Sequence, residues 1–81
     1  MNNKEKYDEA FVNALMIERP QLSGLRYQGV ATWDSVGHMA LVSSLESAFG
    51  IELDIDDIVA FSSYDVGREI LAKYNVQIEA E

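Results

Sequence analysis

The segment 34–50, DSVGHMALVSSLESAFG, constrains the fold more than any other stretch of the chain. At about 100 degrees per residue, its large apolar side chains fall on one arc of a helical wheel, which predicts an amphipathic α-helix. The helix should begin at Asp34 or Ser35 and end near Phe49, because Gly50 can adopt the left-handed conformation that closes many helices. We expect the apolar arc to face the core of the domain. It is formed by Leu41, Val42, Leu45, Ala48 and Phe49.

Apolar residues at helical spacing also predict a first helix, from about Lys4 to Glu18. Pro20 should close it, because the residue before a proline disfavours helical geometry. The stretch QLSGLRYQGVAT, residues 21–32, has no sustained period and is predicted to be a long loop. Long loops in small domains tend to be either functional or anchored, and apolar side chains favour the anchored type here. The expected anchors are Leu22, Leu25, Tyr27 and Val30.

Two shorter helices are predicted after Gly50. The stretch DDIVAF, residues 56–61, places two acidic residues in a first turn, where the helix dipole favours them. The last helix should open at Ser62, because Asp65 three residues later resembles a capping box, and should run to about Tyr74. The sequence thus predicts one all-α domain over residues 1–81, a small four-helix bundle with a long first loop and a short third helix. Its core should span about residues 4–74, and residues 75–81 should form a flexible tail.

The placement of charge and the absence of cysteine restrict the possible functions. The first 33 residues carry four basic and four acidic side chains and the rest carry two and ten, so the net charge of −8 lies after residue 33. This half should repel nucleic acid and anionic membrane surfaces and attract a basic protein partner, although acidity can also serve solubility alone. Without cysteine there is no disulfide or thiol chemistry, which favours a cytoplasmic protein. No apolar run reaches the roughly 18 residues that a membrane span requires.

Ser35 and a second apolar arc on the same helix are the candidate functional features. Val36, Met39 and Ala40 lie on the far side of the helical wheel from the core arc. They either pack under the long loop or form an exposed docking strip. Ser35 either caps the helix or lies bare at the positive end of the helix dipole, where a phosphate ester is favoured. The residue types alone leave both pairs of alternatives open.

Catalysis and metal binding are disfavoured by the same sequence, so no catalytic residue and no metal site is predicted. His38 lies one turn beyond Ser35, but it leans toward the core arc, where a lone histidine is usually structural. The chain has no G-x-S-x-G elbow, and 81 residues leave little chain to enclose a substrate. The acidic stretch ELDIDD lacks the glycine and terminal glutamate of a calcium loop. A small hydrolase is therefore the least favoured hypothesis.

Taken together, DSVGHMALVSSLESAFGIEL and the following DIDDIVAFSSYDVGREIL resemble the acyl carrier protein family, the phosphopantetheine-bearing carriers of fatty-acid, polyketide and nonribosomal-peptide assembly. The resemblance extends over about residues 4–74 and includes Asp34-Ser35-Val36, the Leu45-Glu46 pair, Phe49 and a serine opening the last helix. It implies that a phosphopantetheinyl transferase attaches 4′-phosphopantetheine to Ser35 through a phosphodiester. Together with the charge pattern, it implies a partner-binding surface. That surface consists of Asp34, Val36, Met39, Ala40, Glu46, Asp56 and Asp57.

The function implied by this resemblance is that of a non-catalytic, monomeric carrier. An acyl-loading ligase or acyltransferase would place an acyl or aminoacyl group on the arm as a thioester, and downstream synthase or transferase enzymes would receive it. Polar or acidic residues common along the second helix of fatty-acid carriers are mostly replaced here, which favours a specialised fatty-acid, polyketide or related pathway. The alternative hypothesis is an unmodified acidic helical adaptor that docks a basic partner.

Overall fold

The structure is a computed structural model that describes residues 2–79. Within this range the chain forms four α-helices, a single short 3₁₀ helix and no strand, packed with a Cα radius of gyration of 11.3 Å. The predicted all-α bundle, with a long first loop and a short third helix, is confirmed at this level. The helices are α1 (Asn3–Leu15), α2 (Ser35–Phe49), α3 (Ile55–Ala60) and α4 (Tyr64–Ala72), and the 3₁₀ helix is Arg19–Gln21.

The bounds of α2 agree with the prediction, whereas α1 is shorter than expected. Asp34 caps the start of α2, and Gly50 closes it with a φ of 64° in the left-handed region. α1 ends at Leu15 rather than near Glu18, because Met16 already adopts a left-handed conformation with a φ of 57°. The chain then enters the 3₁₀ helix Arg19–Gln21, which was not predicted from the sequence.

The predicted opening of the last helix at Ser62 is wrong, because Ser63 is the capping residue. The Ser63 side chain accepts a hydrogen bond from the Val66 N–H at 3.0 Å. The Ser62 carbonyl is held by the long loop, since it accepts from the Tyr27 N–H at 2.9 Å. The Tyr64 N–H in turn donates to the Leu25 carbonyl at 2.9 Å, so the loop and the start of α4 form a short antiparallel contact.

An aromatic cluster forms the centre of the core. The rings of Tyr7, Phe11, Trp33 and Phe61 are all essentially inaccessible to solvent, and Phe11 packs edge-on against Trp33 with centroids 5.5 Å apart. Trp33 lies at the end of the long loop and was not among its predicted anchors. It holds the loop against α1 immediately before α2 begins.

Most of the other predicted core residues are buried, and the exceptions lie at the rim. Leu41, Val42, Leu45, Leu22 and Leu25 are buried, and Phe49 and Val30 are partly buried. Ala48 is exposed, because it borders an open groove between α1 and α2. Tyr27 remains 38% exposed, so this ring is not a core anchor.

Buried polar groups tie α1 to α4. The Tyr7 hydroxyl donates to the Tyr64 carbonyl at 2.6 Å, and the Tyr64 hydroxyl hydrogen-bonds to the buried carboxylate of Asp8. Burial, with a further contribution from Asp8, raises the pKa of Tyr64 to about 12. The phenol therefore stays protonated at neutral pH and acts as the donor to Asp8.

Part of the predicted tail contributes to the fold. Val76 is buried, and the Asn3 side-chain amide donates to the Gln77 carbonyl at 3.0 Å. The Lys4 N–H donates to the Glu79 carboxylate at 2.7 Å, next to the start of α1. The remaining predicted tail residues, 80 and 81, and residue 1 of the predicted domain lie outside the described range.

None of the helices in residues 2–79 has both the length and the apolar character needed to cross a lipid bilayer.

Candidate functional site

Ser35 is the first residue of α2, and its side chain is exposed. The helix is capped by the preceding residue: the Asp34 Oδ1 atom accepts a hydrogen bond from the Gly37 N–H at 2.9 Å. The Ser35 hydroxyl therefore does not serve as the cap, which removes the first of its two predicted roles. Its contact is with the Tyr27 hydroxyl, whose oxygen lies 3.4 Å from Ser35 Oγ.

Gly37 allows the long loop to approach the first turn of α2. A Cβ atom built at Gly37 would lie 1.9 Å from the Thr32 carbonyl oxygen and 3.2 Å from Leu15 Cδ2. Only a residue without a side chain fits between the loop backbone and the end of α1. This contact explains a glycine in a helical turn where alanine would otherwise be more stable.

His38 links the long loop, α2 and α3. The Trp33 Nε1–H donates to His38 Nδ1 at 2.9 Å, and His38 Nε2 lies 2.8 Å from the Ile58 carbonyl oxygen. Because an indole N–H can only donate and a carbonyl can only accept, these bonds require a neutral imidazole protonated at Nε2. The Trp33 and His38 rings are nearly coplanar, with centroids 6.2 Å apart and planes 16° apart, because the hydrogen bond between them joins them edge to edge.

This arrangement leaves His38 unsuited to act as a base for Ser35. A general base needs a ring nitrogen within hydrogen-bond reach of the hydroxyl. Both nitrogens of His38 are already engaged, one with Trp33 and one with Ile58. The expectation that His38 leans inward and is partly buried agrees with its position.

A groove of about 330 Å³ lies beside Ser35 between α2 and α3. Its lining is mostly apolar or aromatic. The residues that line it together with Ser35 include Tyr27, His38, Met39, Ile58, Val59 and Phe61. The groove is open to solvent, so a group attached to Ser35 would have an apolar surface next to its point of attachment.

The second apolar arc of α2 is exposed. Val36 is 79% exposed and Met39 is 53% exposed, and Ala40 is exposed as well. The alternative in which this arc packs under the long loop is therefore wrong. Two apolar residues of α3, Ile55 and Val59, are also 76% and 78% exposed, and Val59 lines the same groove as Met39.

Ile55 and Val59 were not predicted as surface residues. In a helix of six residues the sequence IDDIVA has no clear amphipathic period, because two acids separate its apolar residues. The structure turns Asp57 inward and leaves these two apolar side chains outside. Their exposure follows from the packing of α3, which the sequence alone did not reveal.

Asp57 is a structural residue and not an exposed part of an acidic surface. It is buried, and its carboxylate accepts from Lys73 Nζ and from the Tyr74 hydroxyl, each at 2.5 Å. The hydrogen bond from Lys73, followed by that from Tyr74, lowers the pKa of the Asp57 carboxyl. Asp57 was predicted on the partner surface because the sequence does not show that Lys73 and Tyr74, on the α4 side, bind its carboxylate.

The other predicted acidic residues differ in their surroundings. Glu46 is partly buried, and its Oε2 atom accepts from the Leu53 N–H at 2.8 Å, which secures the connection between α2 and α3. Asp34 and Asp56 are exposed. The predicted site residues that are exposed are Asp34, Ser35, Val36, Met39, Ala40 and Asp56. Of these, Ser35 and Met39 line the same groove.

Within the described part of the chain, no group of three or more histidine, aspartate or glutamate side chains is arranged to hold a metal ion.

No family model matches the chain, and no significant match to it is found among the curated proteins or the solved structures. The functional interpretation therefore depends on the sequence motif and on the geometry around Ser35.

Proposed function

We propose that this chain is an acyl carrier protein of the cytoplasm, modified on Ser35 with 4′-phosphopantetheine. The observation that supports the proposal most strongly is that two neighbouring residues, Asp34 and Ser35, have different roles at the start of α2. Asp34 caps α2, while the Ser35 hydroxyl is exposed at the start of the same helix. A serine that is accessible and not needed as a cap is suited to carry a covalent group.

The residues around Ser35 fit a phosphopantetheine arm. The arm requires an accessible hydroxyl for its phosphodiester and an open path for its chain, and Ser35 lies next to a groove that is open and mostly apolar. Tyr27, on one side, offers a hydroxyl near the point of attachment. When attached, the group supplies a thiol that forms a thioester with a carboxylic cargo. The protein's own residues hold the attachment point and leave bond chemistry to partner enzymes.

The exposed apolar residues of α2 and α3 form a docking surface in this proposal. Val36 and Met39 on α2 lie with Ile55 and Val59 on α3 in an acidic half of the chain. A partner would combine apolar contact with basic side chains, and methionine allows repacking against different partners. The partners are a phosphopantetheinyl transferase, an acyl-loading ligase or acyltransferase, and downstream synthase or transferase enzymes. Serving several enzymes in turn favours a monomer and, with this helix sequence, a specialised pathway.

The decisive experiment measures the intact mass of the purified protein after incubation with coenzyme A and a promiscuous phosphopantetheinyl transferase. Ser35 Oγ would form the new P–O bond as the pyrophosphate linkage of coenzyme A breaks. Adenosine 3′,5′-bisphosphate leaves, and the hydroxyl proton is released. We expect a gain of one phosphopantetheine in the natural chain and in Ser47→Ala, an exposed serine on the same helix. We expect no gain in Ser35→Ala. An unchanged mass of the natural chain would contradict the proposal.

The adaptor hypothesis is supported by the same exposed surface and differs in its chemistry. An unmodified adaptor would show no gain in mass, and its binding to a basic partner would be unaffected by Ser35→Ala. The carrier proposal is preferred because the adaptor hypothesis gives no reason for a bare hydroxyl beside an apolar groove. The hydrolase hypothesis has no geometric support, since the His38 nitrogens are engaged with Trp33 and Ile58.

A further inference from the structure

The phenol of Tyr27 is the side-chain group that contacts Ser35. The two hydroxyl oxygens are 3.4 Å apart, and either can be the donor. This separation is longer than the roughly 2.7–2.8 Å of a typical O–H···O hydrogen bond. Ser35 therefore engages the Tyr27 hydroxyl only weakly, and the phenol can turn its proton to a stronger acceptor.

Tyr27 is held in place from both its backbone and its ring. Its N–H donates to the Ser62 carbonyl at 2.9 Å, in the contact between the long loop and the start of α4. Its ring meets Trp33 edge-on at 6.1 Å and His38 edge-on at 5.6 Å, measured between centroids. Trp33 and His38 are hydrogen-bonded to each other, so the two rings against which Tyr27 packs hold each other in position.

The charges near Ser35 make a neutral donor useful. Asp34 is the preceding residue, and a negatively charged phosphodiester on Ser35 would be repelled by its carboxylate. A neutral donor can bind the phosphodiester without adding a charge, and the Tyr27 hydroxyl lies 3.4 Å from the Ser35 oxygen that would carry it.

We propose that Tyr27 is a positioning residue whose hydroxyl donates a hydrogen bond to the phosphodiester on Ser35, so that the arm begins along the groove between α2 and α3. The inference rests on the proposed modification of Ser35 and adds to it a residue outside the Asp-Ser motif. A hydrogen bond to a charged acceptor is about twice as strong as one between neutral groups. The weak contact in the unmodified protein thus becomes a strong one after modification.

The test is ³¹P NMR of the modified protein, prepared with coenzyme A and the transferase and verified by intact mass. Tyr27→Phe keeps the ring packing on Trp33 and His38 and removes only the hydroxyl. We expect its ³¹P resonance to shift away from that of the natural chain and toward that of the urea-unfolded modified protein. Tyr74→Phe is the matched control, because it also removes a phenol hydroxyl but one that binds Asp57. It should lower the melting temperature and leave the ³¹P resonance in place.

The outcomes separate this inference from the proposed function. If the natural chain gains no mass, the proposed modification fails and the inference fails with it. If both proteins are modified and their ³¹P resonances coincide, the carrier proposal stands and the role of Tyr27 is disproved. If the natural chain is modified and Tyr27→Phe is not, Tyr27 acts in the attachment step, and its role toward the attached group is likewise rejected. A resonance that moves equally in Tyr74→Phe would show a general loosening of the fold and would also overturn the inference.

Discussion

At the scale of single residues, the position of Ser35 is determined by neighbours that perform other tasks. Asp34 caps the helix, Gly37 admits the Thr32 carbonyl, and His38 joins Trp33 to Ile58. Each of these contacts lies within one helical turn of Ser35. The Ser35 hydroxyl stays exposed because Asp34, and not Ser35, caps the helix.

The Gly37 contact predicts that Gly37→Ala destabilises the protein. Alanine is intrinsically better in a helix by about 0.8–1.0 kcal/mol, but its Cβ would overlap the Thr32 carbonyl oxygen. Overpacking of this kind typically costs about 1–3 kcal/mol, so the free energy of unfolding should fall. Urea denaturation followed by circular dichroism measures the change. Ser47→Ala, on the exposed face of the same helix, should change it by less than about 0.5 kcal/mol. A stabilised Gly37→Ala protein would refute the close approach of the loop.

At the scale of elements, the helix whose ends carry local signals was predicted best. The bounds of α2 follow from two residues at its ends. The Asp34 side chain caps the start, and the left-handed backbone of Gly50 closes the end. The cap of α4 was predicted at Ser62 instead of Ser63, because the sequence does not show that the long loop binds the Ser62 carbonyl. The burial of Trp33 was missed for a related reason: a loop without a period does not indicate which side chains face inward.

The short helix α3 is held by the packing of Ile58 against the core and by several polar contacts. Asp57 binds Lys73 and Tyr74 beyond α4, and the Ile58 carbonyl accepts from His38 on α2. Ile55 and Val59 are exposed, so much of its apolar surface does not contribute to packing. The stability of this element should therefore respond to changes in charge more than that of the other helices.

Asp57 predicts a specific dependence of stability on pH. The pKa of Asp57 is lowered in the folded protein. The stabilisation that its carboxylate provides is therefore fully present above the ordinary aspartate pKa of about 3.9. It disappears as the pH falls through the lower pKa of the folded state. The difference in urea midpoint between the natural chain and Asp57→Asn should be largest at neutral pH and shrink in acid. The exposed neighbour Asp56→Asn is the control and should show no loss of stability at neutral pH, because it removes one of the mutually repelling carboxylates. A difference for Asp57→Asn that is unchanged from pH 7 to strong acid would contradict the lowered pKa.

At the scale of the whole molecule, the chain carries a large net negative charge for its 81 residues. The formal net charge is −8, and all of it arises after residue 33. Glu46 and Asp57 have hydrogen-bond donors. Glu52 and Asp54 in the connection after α2, and Asp56 in the first turn of α3, are exposed. Repulsion among these carboxylates opposes the compact state.

This repulsion predicts that salt raises the melting temperature. Ions screen exposed charges over about 10 Å at 0.1 M and over shorter distances at higher concentration. Thermal unfolding measured over a series of sodium chloride concentrations should show a rising midpoint, and magnesium chloride should act at lower concentration. The triple variant Glu52→Gln, Asp54→Asn, Asp56→Asn should respond less, because it removes the repelling charges. A midpoint that does not depend on salt would show that the acidic region carries no net repulsion.

Because Asp34 caps α2 and Ser35 does not, a substituent on the serine should leave the cap intact. The bond that secures the first turn of α2 runs from the Gly37 amide to Asp34 and does not involve the serine oxygen. Esterifying that oxygen consumes none of the interactions on which the helix depends. The first turn of α2 should therefore keep its structure whether the serine is unmodified, carries an empty arm or carries a loaded one.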